Sequence, residues 1–382
     1  MNAVFVRPLC AALIGLLIAA APSFATVETI VSLTTNNLAY DPATELLYAA
    51  SPSNAASNPN SLIPINPSNG ALGTAIPVHP NPVRVVSSGD GTYLYVEDNN
   101  GQTVQRYDPA TATFATPLSI LGGLNVSQLV AVPGYSDMVV VSQNDPGFSP
   151  PAYQTAVYQN GSALPNHIGN GLGVGGPDII AVDNTGTQFY GYQTTVTSYT
   201  NWYGTITSGS NGGITLQTAP LQGVVTGGTG QIQLAGDQLY DNNGYIYLNS
   251  SADPSVLSTF PTTGTFLVDA AQNQFYSIVN SGSYQTVDVF STNVTNSLTL
   301  LSSIPVPGEV GGINEITMLP NGGLALSTPS QIILVGASAV PEPSSLSLIA
   351  VGGIGIAVAW AARPKDKAKS AGCGHRPPPC VG

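Results

Sequence analysis

A repeated unit of about 46 residues is the feature that most constrains how this 382-residue chain can fold. Each copy contains an apolar strand, a turn rich in Gly, Asn, Asp or Pro, and a second strand that often carries Tyr. A β-propeller blade needs about 40–45 residues. The repeat therefore predicts an all-β domain over residues 26–339, folded as a seven-bladed β-propeller. The seven copies begin at Leu38, Arg84, Leu129, Ile179, Ile232, Phe266 and Ile316.

The last copy supplies only about three strands, whereas the stretch from Val27 to Leu33 precedes the first copy and has no partner within it. Because an unpaired strand edge is an aggregation hazard, we expect this stretch to complete the last blade and close the ring. Asn-Gly pairs at Asn100 and Asn243 predict hairpin turns between further strands. Six or eight blades, or two β-sandwich domains, are the alternative architectures.

The charges of this domain exclude several classes of partner. Between Thr26 and Ala339, eighteen carboxylates face only two cations, Arg84 and Arg106, so the formal charge is −16. Such a surface repels nucleic acids and anionic lipids, and no nucleic-acid partner is expected. The domain also contains no cysteine, so its stability must come from packing and backbone pairing rather than from disulfides.

Residues 1–25 have the pattern of a signal peptide. Arg7 provides a positive charge, an apolar run extends from Leu9 to Ala21, and the chain then reads Ser-Phe-Ala up to Ala25. Ser23 and Ala25 place small side chains three residues and one residue before the cleavage point, as signal peptidase requires. We therefore predict cleavage between Ala25 and Thr26, with a retained membrane anchor as the alternative.

The C-terminal stretch carries a family resemblance. Val340, Pro341, Glu342 and Pro343 are followed by an uncharged apolar segment, residues 346–362, and then by a basic cluster. These three parts, in this order over residues 340–369, resemble the PEP-CTERM sorting signal. The resemblance implies recognition by an exosortase in a Gram-negative bacterium. An ordinary C-terminal membrane anchor is the alternative.

The physics of this tail agrees with the resemblance. A 17-residue helix spans roughly 25 Å, enough for a single crossing of a thin bilayer. The positive-inside rule then keeps the cations that follow it on the cytoplasmic side. Residues 370–382 are expected to be a disordered cytoplasmic tail, and the role of Cys373, His375 and Cys380 there stays open. The membrane stop is formed by Arg363, Lys365 and Lys367.

Motifs for catalysis are scarce. The two histidines of the domain, His79 and His167, have no nucleophile near them in sequence, and the nucleophile elbow is absent. The Gly-x-Gly-x-x-Gly match over residues 171–176 precedes a strand rather than a helix, so it predicts a loop. We expect no cofactor and no hydrolase activity dependent on either histidine.

Two acidic clusters and one aromatic run are the remaining candidate sites. The clusters, Glu97 to Asn100 and Asp237 with Asp241 to Asn243, could supply oxygen ligands to a divalent cation, but hairpin turns favour the same residues. The aromatic run could stack on a sugar, although core packing is favoured because Tyr190 and Tyr192 share a strand face. The run consists of Phe189, Tyr190, Tyr192, Tyr199, Trp202 and Tyr203.

The spacing and turns of the domain are similar to those of secreted YVTN-type and lactonase-like seven-bladed propellers. We therefore expect an exported protein that is transiently anchored in the inner membrane and then sorted to the cell surface or extracellular matrix. There it would act as a binding or structural module for a glycan or matrix ligand. A secreted propeller enzyme of the lactonase or lyase type, with a metal in its central channel, is the alternative.

Overall fold

The structure is a computed structural model, and it describes residues 28–98, 101, 103–149, 151–169, 175–195, 200–217, 221–222, 230–248, 255–262, 264–280, 285–292, 298–306 and 311–336. All of them belong to one compact unit, residues 25–337. Within these ranges the strands form seven antiparallel sheets. The prediction of seven blades is confirmed.

The first strand of the chain, β1 (Glu28–Ser32), belongs to the last blade. Blades 1 to 3 follow it in order. Blade 1 contains β2 (Leu38–Asp41), β3 (Leu46–Ser51), β4 (Ser61–Ile65) and β5 (Ile76–Pro77); blade 2 contains β6 (Pro82–Ser87), β7 (Leu94–Asp98), β8 (Val104–Asp108) and β9 (Thr113–Leu118); blade 3 contains β10 (Asn125–Ala131), β11 (Met138–Asp145), β12 (Ala152–Gln159) and β13 (Ser162–Ala163).

Blades 4 to 7 complete the ring. In blade 4 two short strands, β17 and β18, both pair with β16. Blade 4 contains β14 (Ile179–Val182), β15 (Gln188–Tyr192), β16 (Thr200–Thr207), β17 (Gly213–Leu216) and β18 (Leu221–Gln222); blade 5 contains β19 (Ile232–Ala235), β20 (Gln238–Asp241), β21 (Tyr245–Leu248) and β22 (Ser255–Thr259); blade 6 contains β23 (Phe266–Asp269), β24 (Gln274–Asn280), β25 (Gln285–Ser291) and β26 (Thr299–Val306); blade 7 contains β27 (Glu315–Met318), β28 (Leu324–Ser327), β29 (Gln331–Val335) and β1. Two single 3-10 turns lie at Leu121–Gly123 and Pro320–Gly322.

The ring closes through a strand taken from the start of the domain. Strand β1 pairs antiparallel with β29, so that Glu28 lies opposite Val335 and Ser32 opposite Gln331. The inner strands of consecutive blades contact one another around the channel, and β27 of blade 7 contacts β2 of blade 1. The prediction that residues 27–33 complete the last blade is confirmed over 28–32.

Seven hydrophobic clusters lie between consecutive blades, one at each junction. Along β3, for example, Leu47 packs into the junction with blade 7 while Tyr48 packs into the junction with blade 2. Successive side chains of a strand point to opposite faces, so both faces of a blade are buried. This explains why the second strand of each copy is almost continuously apolar.

Aspartates hold the inner hairpins of several blades. The carboxylate of Asp41 accepts hydrogen bonds from the backbone N–H of Thr44 (3.2 Å) and from its hydroxyl (2.6 Å). Asp269 accepts likewise from the N–H of Ala271 and Gln272. Because Asp side chains mimic a turn carbonyl in this way, they favour tight hairpins. Asp90 and Asp183 cap the corresponding hairpins of blades 2 and 4.

Among the described residues no helix is long and apolar enough to cross a membrane. The predicted signal peptide, residues 1–25, and the predicted transmembrane helix, residues 346–362, lie outside the described residues. Both remain predictions.

Candidate functional site: the mouth of the central channel

The seven inner strands begin at the same end of the central channel, which is called the mouth below. Near this end each blade contributes one residue in or directly before its inner strand, and this residue is polar in six of the seven blades. This set, called the mouth ring, consists of Asn37, Arg84, Gln128, Ile179, Gln231, Thr265 and Glu315.

Each polar member of the mouth ring forms a hydrogen bond to the backbone of the next blade. Side-chain bonds to a neighbouring strand satisfy backbone groups that blade-to-blade packing leaves unpaired. They also fix the position of each blade relative to the next. Three members accept from a backbone N–H: Asn37 Oδ1 from Val85 N, Gln128 Oε1 from Ile180 N, and Glu315 Oε2 from Leu38 N. The other three donate to a backbone carbonyl: Arg84 Nη1 to Ser127 O, Gln231 Nε2 to Phe266 O, and Thr265 Oγ1 to Asn314 O.

The charged side chains of the mouth belong to blades 2 and 7, on either side of blade 1. Arg84 Nη1 donates to Glu97 Oε2 at 2.7 Å, and Glu97 is only 6% exposed. Burial raises the pKa of Glu97, while Arg84 opposes the rise. A buried carboxylate paired with a guanidinium is costly to separate, because either partner alone would be an uncompensated charge.

Glu315 joins the first and last blades. Its Oε2 accepts from Leu38 N at 2.9 Å, and its Oε1 accepts from Asn37 Nδ2 at 2.7 Å. Burial of the carboxyl group raises the pKa of Glu315 to about 8, against the opposing effects of the Leu38 N–H and Arg84. The side chain keeps some exposed surface, but its carboxyl end lies against blade 1. Two carboxyl groups with raised pKa therefore flank Arg84.

The remaining part of the mouth opens into a cavity of about 680 Å³. Inner strands of blades 3 to 7 line it with carboxamides, from Gln128, Gln231 and Gln233 among others, and with aliphatic side chains. Asp269 is the single carboxylate among the lining residues, and none of these residues is cationic. The described lining of the cavity is therefore a mixture of aliphatic side chains and carboxamides that is almost uncharged.

The predicted cation clusters are used differently in the structure. Asp98 Oδ2 lies 3.5 Å from His79 Nδ1, next to the Arg84–Glu97 pair. Asp241 is fully buried and accepts from Tyr245 N and the Tyr247 hydroxyl, whereas Asp237 is exposed at the other end of β20. Among the described residues no group of three His, Cys, Asp or Glu side chains is arranged so that it could hold a metal ion.

The aromatic run and the second histidine lie away from the mouth ring. Phe189, Tyr190 and Trp202 are 0%, 1% and 4% exposed and pack into the core on either side of blade 4. Core packing, rather than a sugar-stacking platform, is what the structure shows for them, and Tyr199 lies outside the described residues. His167 is exposed, with its Nδ1 3.0 Å from Pro165 O. Most of the Gly-rich segment 171–176 also lies outside the described residues.

Sequence reasoning missed the mouth ring, although its signal was present. Asn37, Gln231 and Glu315 immediately precede the first apolar residue of their copies. Gln128 and Thr265 do so as well, and Arg84 occupies the same place in the second copy. A polar residue before the apolar strand is thus the pattern that locates six of the seven ring positions.

The comparisons identify the tail and the fold. Residues 339–363 match the family model described as the PEP-CTERM protein-sorting motif. The chain carries a PEP-CTERM sorting motif. This motif implies processing by an exosortase, export, and a cell-surface or extracellular destination. Its predicted residues, Val340 to Pro343, lie within the matched segment. They lie outside the described residues, and the same is true of Ala25, Thr26 and the membrane-stop cations.

Solved structures resemble the propeller in fold alone. A chain of the crystal structure of a mitotic checkpoint complex has a TM-score of 0.59 at 12% identity, covering 88% of this chain and 96% of that one. A chain of the Kuenenia stuttgartiensis hydrazine synthase has a TM-score of 0.55 at 12% identity, covering 82% and 98%. No curated protein sequence matches the chain.

Proposed function

We propose that this exported propeller is displayed at the cell surface or in the extracellular matrix as a binding or structural module. The observation that carries the proposal is the use of the polar side chains at the mouth. The mouth ring bonds each blade to the next, and the carboxylate of Glu97 is neutralised by Arg84. Side chains used in this way hold neighbouring blades in fixed positions, so that the blades together present a rigid surface.

Binding to the matrix tests this proposal. Processed protein recovered from the culture medium would be labelled and mixed with extracellular matrix from cells that lack it, and the mixture would be sedimented. A binding module should sediment in a saturable way and should be displaced by excess unlabelled protein. Protein that stays in the supernatant at every concentration would contradict the proposal.

A second candidate, a lactonase- or lyase-type enzyme, is favoured by one observation. Glu97 and Glu315 both have raised pKa values and both interact with Arg84 at the mouth. Carboxyl groups of raised pKa near a cation are suited to general acid–base chemistry. The candidate predicts hydrolysis of a lactone or cleavage of a uronate-containing polysaccharide that is lost in Glu315→Gln and Glu97→Gln. If the unmodified protein turns over no member of a panel of both substrate classes, the enzyme candidate is contradicted and the binding or structural module is retained.

A further inference from the structure

We infer that the channel cavity is a binding site for a neutral, hydroxyl-bearing ligand, the chemical class that includes uncharged saccharides. The inference rests on the proposed binding function and assigns it a site. Gln128 and Gln231 line the same cavity from blades 3 and 5, and each is held by one bond to the next blade. These bonds decide which end of each carboxamide faces the ligand.

The orientation of the two carboxamides follows from the chemistry of their partners. Ile180 N can only donate, so the atom of Gln128 that meets it must be Oε1, and the Gln128 NH2 group is left for the cavity. Phe266 O can only accept, so Gln231 uses its NH2 group there, and Gln231 Oε1 is left. Within the described residues neither of these remaining groups has a hydrogen-bond partner.

The cavity thus offers one fixed donor and one fixed acceptor. A hydroxyl group can accept from the first and donate to the second, which neither an anion nor an ammonium group can do. The neighbouring Gln233 is different, because its Oε1 accepts from Val268 N and its Nε2 donates to Phe266 O. Groups held in place before binding lose little entropy on binding, so they raise affinity.

Charge narrows the class of ligand further. Among the described lining residues Asp269 is the one carboxylate and none is cationic, and the domain as a whole is strongly anionic. An anionic ligand would enter against this field without a cation to meet it. The Oδ2 atom of Asp269 can accept from a further hydroxyl, since Oδ1 is used by its own hairpin.

The size and walls of the cavity fit a small saccharide or the end of a longer chain. Its volume of about 680 Å³ lies in the range of small-molecule sites, about 300–1,000 Å³. Val130, Val182, Leu234 and Val268 supply aliphatic surface that can pack against the C–H faces of a sugar ring. Polar groups in a small number among apolar walls are typical of ligand sites.

The experiment measures binding of defined sugars to the processed protein by calorimetry and ligand-observed NMR. The neutral probes are chitobiose, maltotriose and cellotriose, and the charged probes are galacturonate and glucosamine. The variant Gln128→Glu keeps an acceptor for Ile180 N but removes the donor, and Gln231→Lys keeps a donor for Phe266 O but removes the acceptor. Gln217→Glu, at an exposed position directly after β17 of blade 4, is the matched charge control.

We expect at least one neutral probe to bind, and each channel variant to weaken it about tenfold, the usual effect of one lost hydrogen bond. The control should bind as the unmodified protein does, and unfolding midpoints should show that all variants are folded. If one channel variant does not fold, the other variant tests the site. Shifts of the Val130 and Val268 methyl signals on addition of the sugar then show whether the sugar binds in the channel.

Three results would overturn the assignment: no neutral probe binds, galacturonate binds best, or both folded channel variants bind like the control. If sugars fail but the protein still sediments with matrix, the channel assignment is wrong while the binding module stands. If a sugar binds in the channel but matrix sedimentation is absent, the site is correct and the module assignment is wrong.

Discussion

The closure of the ring by β1 makes a sharp prediction about two neighbouring residues. Val31 is 7% exposed and packs into the cluster between blades 7 and 1, whereas Ile30 is 48% exposed on the opposite face of the strand. Replacing each by Thr keeps a β-branched side chain and so leaves strand propensity nearly unchanged. Only the environment of the new hydroxyl differs between the two variants.

The expected magnitudes follow from that environment. Val31→Thr is nearly isosteric, so it creates little cavity, but it buries a hydroxyl in an apolar cluster. Proteins lose about 1–3 kcal/mol for such an unpaired group. We therefore expect Val31→Thr to lower the free energy of unfolding by about 2 kcal/mol. Ile30→Thr should change it by no more than about 0.5 kcal/mol, as surface substitutions usually do.

Urea unfolding of both variants, followed by fluorescence of Trp202 in the propeller and by circular dichroism, measures the difference. Strand β1 covers the outer edge of β29, so a weakened β1 should also speed amide hydrogen exchange in β29. Equal losses in the two variants, or a larger loss for Ile30→Thr, would refute the register. A slip of one residue would exchange the two faces.

Three further predictions concern the same ring. Arg84→Met should lower the free energy of unfolding by about 3 kcal/mol, because it leaves the buried Glu97 carboxylate without a partner; adding Glu97→Gln should restore most of the loss in urea titrations. Because its pKa is raised to about 8 in the folded protein, Glu315 stabilises the fold fully below about pH 4.5 and loses this effect as the pH rises through 8; Glu315→Gln should therefore flatten the decline in melting temperature over that interval, and an unchanged slope would show that other groups cause it. Gly70→Ala should be destabilising by more than about 1 kcal/mol, because Gly70 has φ +72° and an added Cβ would lie 2.8 Å from a methyl group of Val31; a melting temperature equal to that of the unmodified protein would contradict this packing of blade 1 against β1.

Much of the fold could be predicted from sequence because the constraints on it repeat. The copies beginning at Leu38 and Phe266 correspond to the inner hairpins of blades 1 and 6, although individual repeat lengths vary. Turn residues and doubly buried strands recur in every blade, so the pattern survives this variation. The strand before the first copy could be placed as well, because the last copy supplies only three strands and its blade therefore has room for a fourth.

The channel mouth could not be predicted in the same way. Its members include Asn37, Arg84, Gln128 and Glu315, which share polarity but no common chemistry. Each bonds to the backbone of the next blade, and a backbone group places no demand on residue type beyond a donor or an acceptor. Conversely, identical residues can occupy different places in a blade. The motif Tyr-Asp-Pro-Ala-Thr begins at Tyr40 and again at Tyr107, and its two copies form turns in hairpins that are not equivalent, β2–β3 and β8–β9.

The aromatic run shows why a pattern can leave two interpretations open. In an ordinary sheet a strand face with Tyr190 and Tyr192 could be exposed to a ligand. In this propeller both faces of a blade meet a neighbouring blade, so that Tyr190 packs against blade 5. Only the arrangement of whole blades decides between a surface and a core.

Replacement of Pro341-Glu342-Pro343 by three alanines tests the central claim most directly, because it leaves the predicted transmembrane helix intact. Cells would be fractionated, and the intact mass of the protein would be measured in the membrane and in the medium. We predict that the unmodified protein reaches the surface or medium, with the mass of a chain that begins at Thr26 and ends before Leu346. The alanine variant should instead accumulate in the membrane, with the mass of residues 26–382. Equal export of both proteins, or an external form that retains residues 346–382, would contradict sorting through an exosortase.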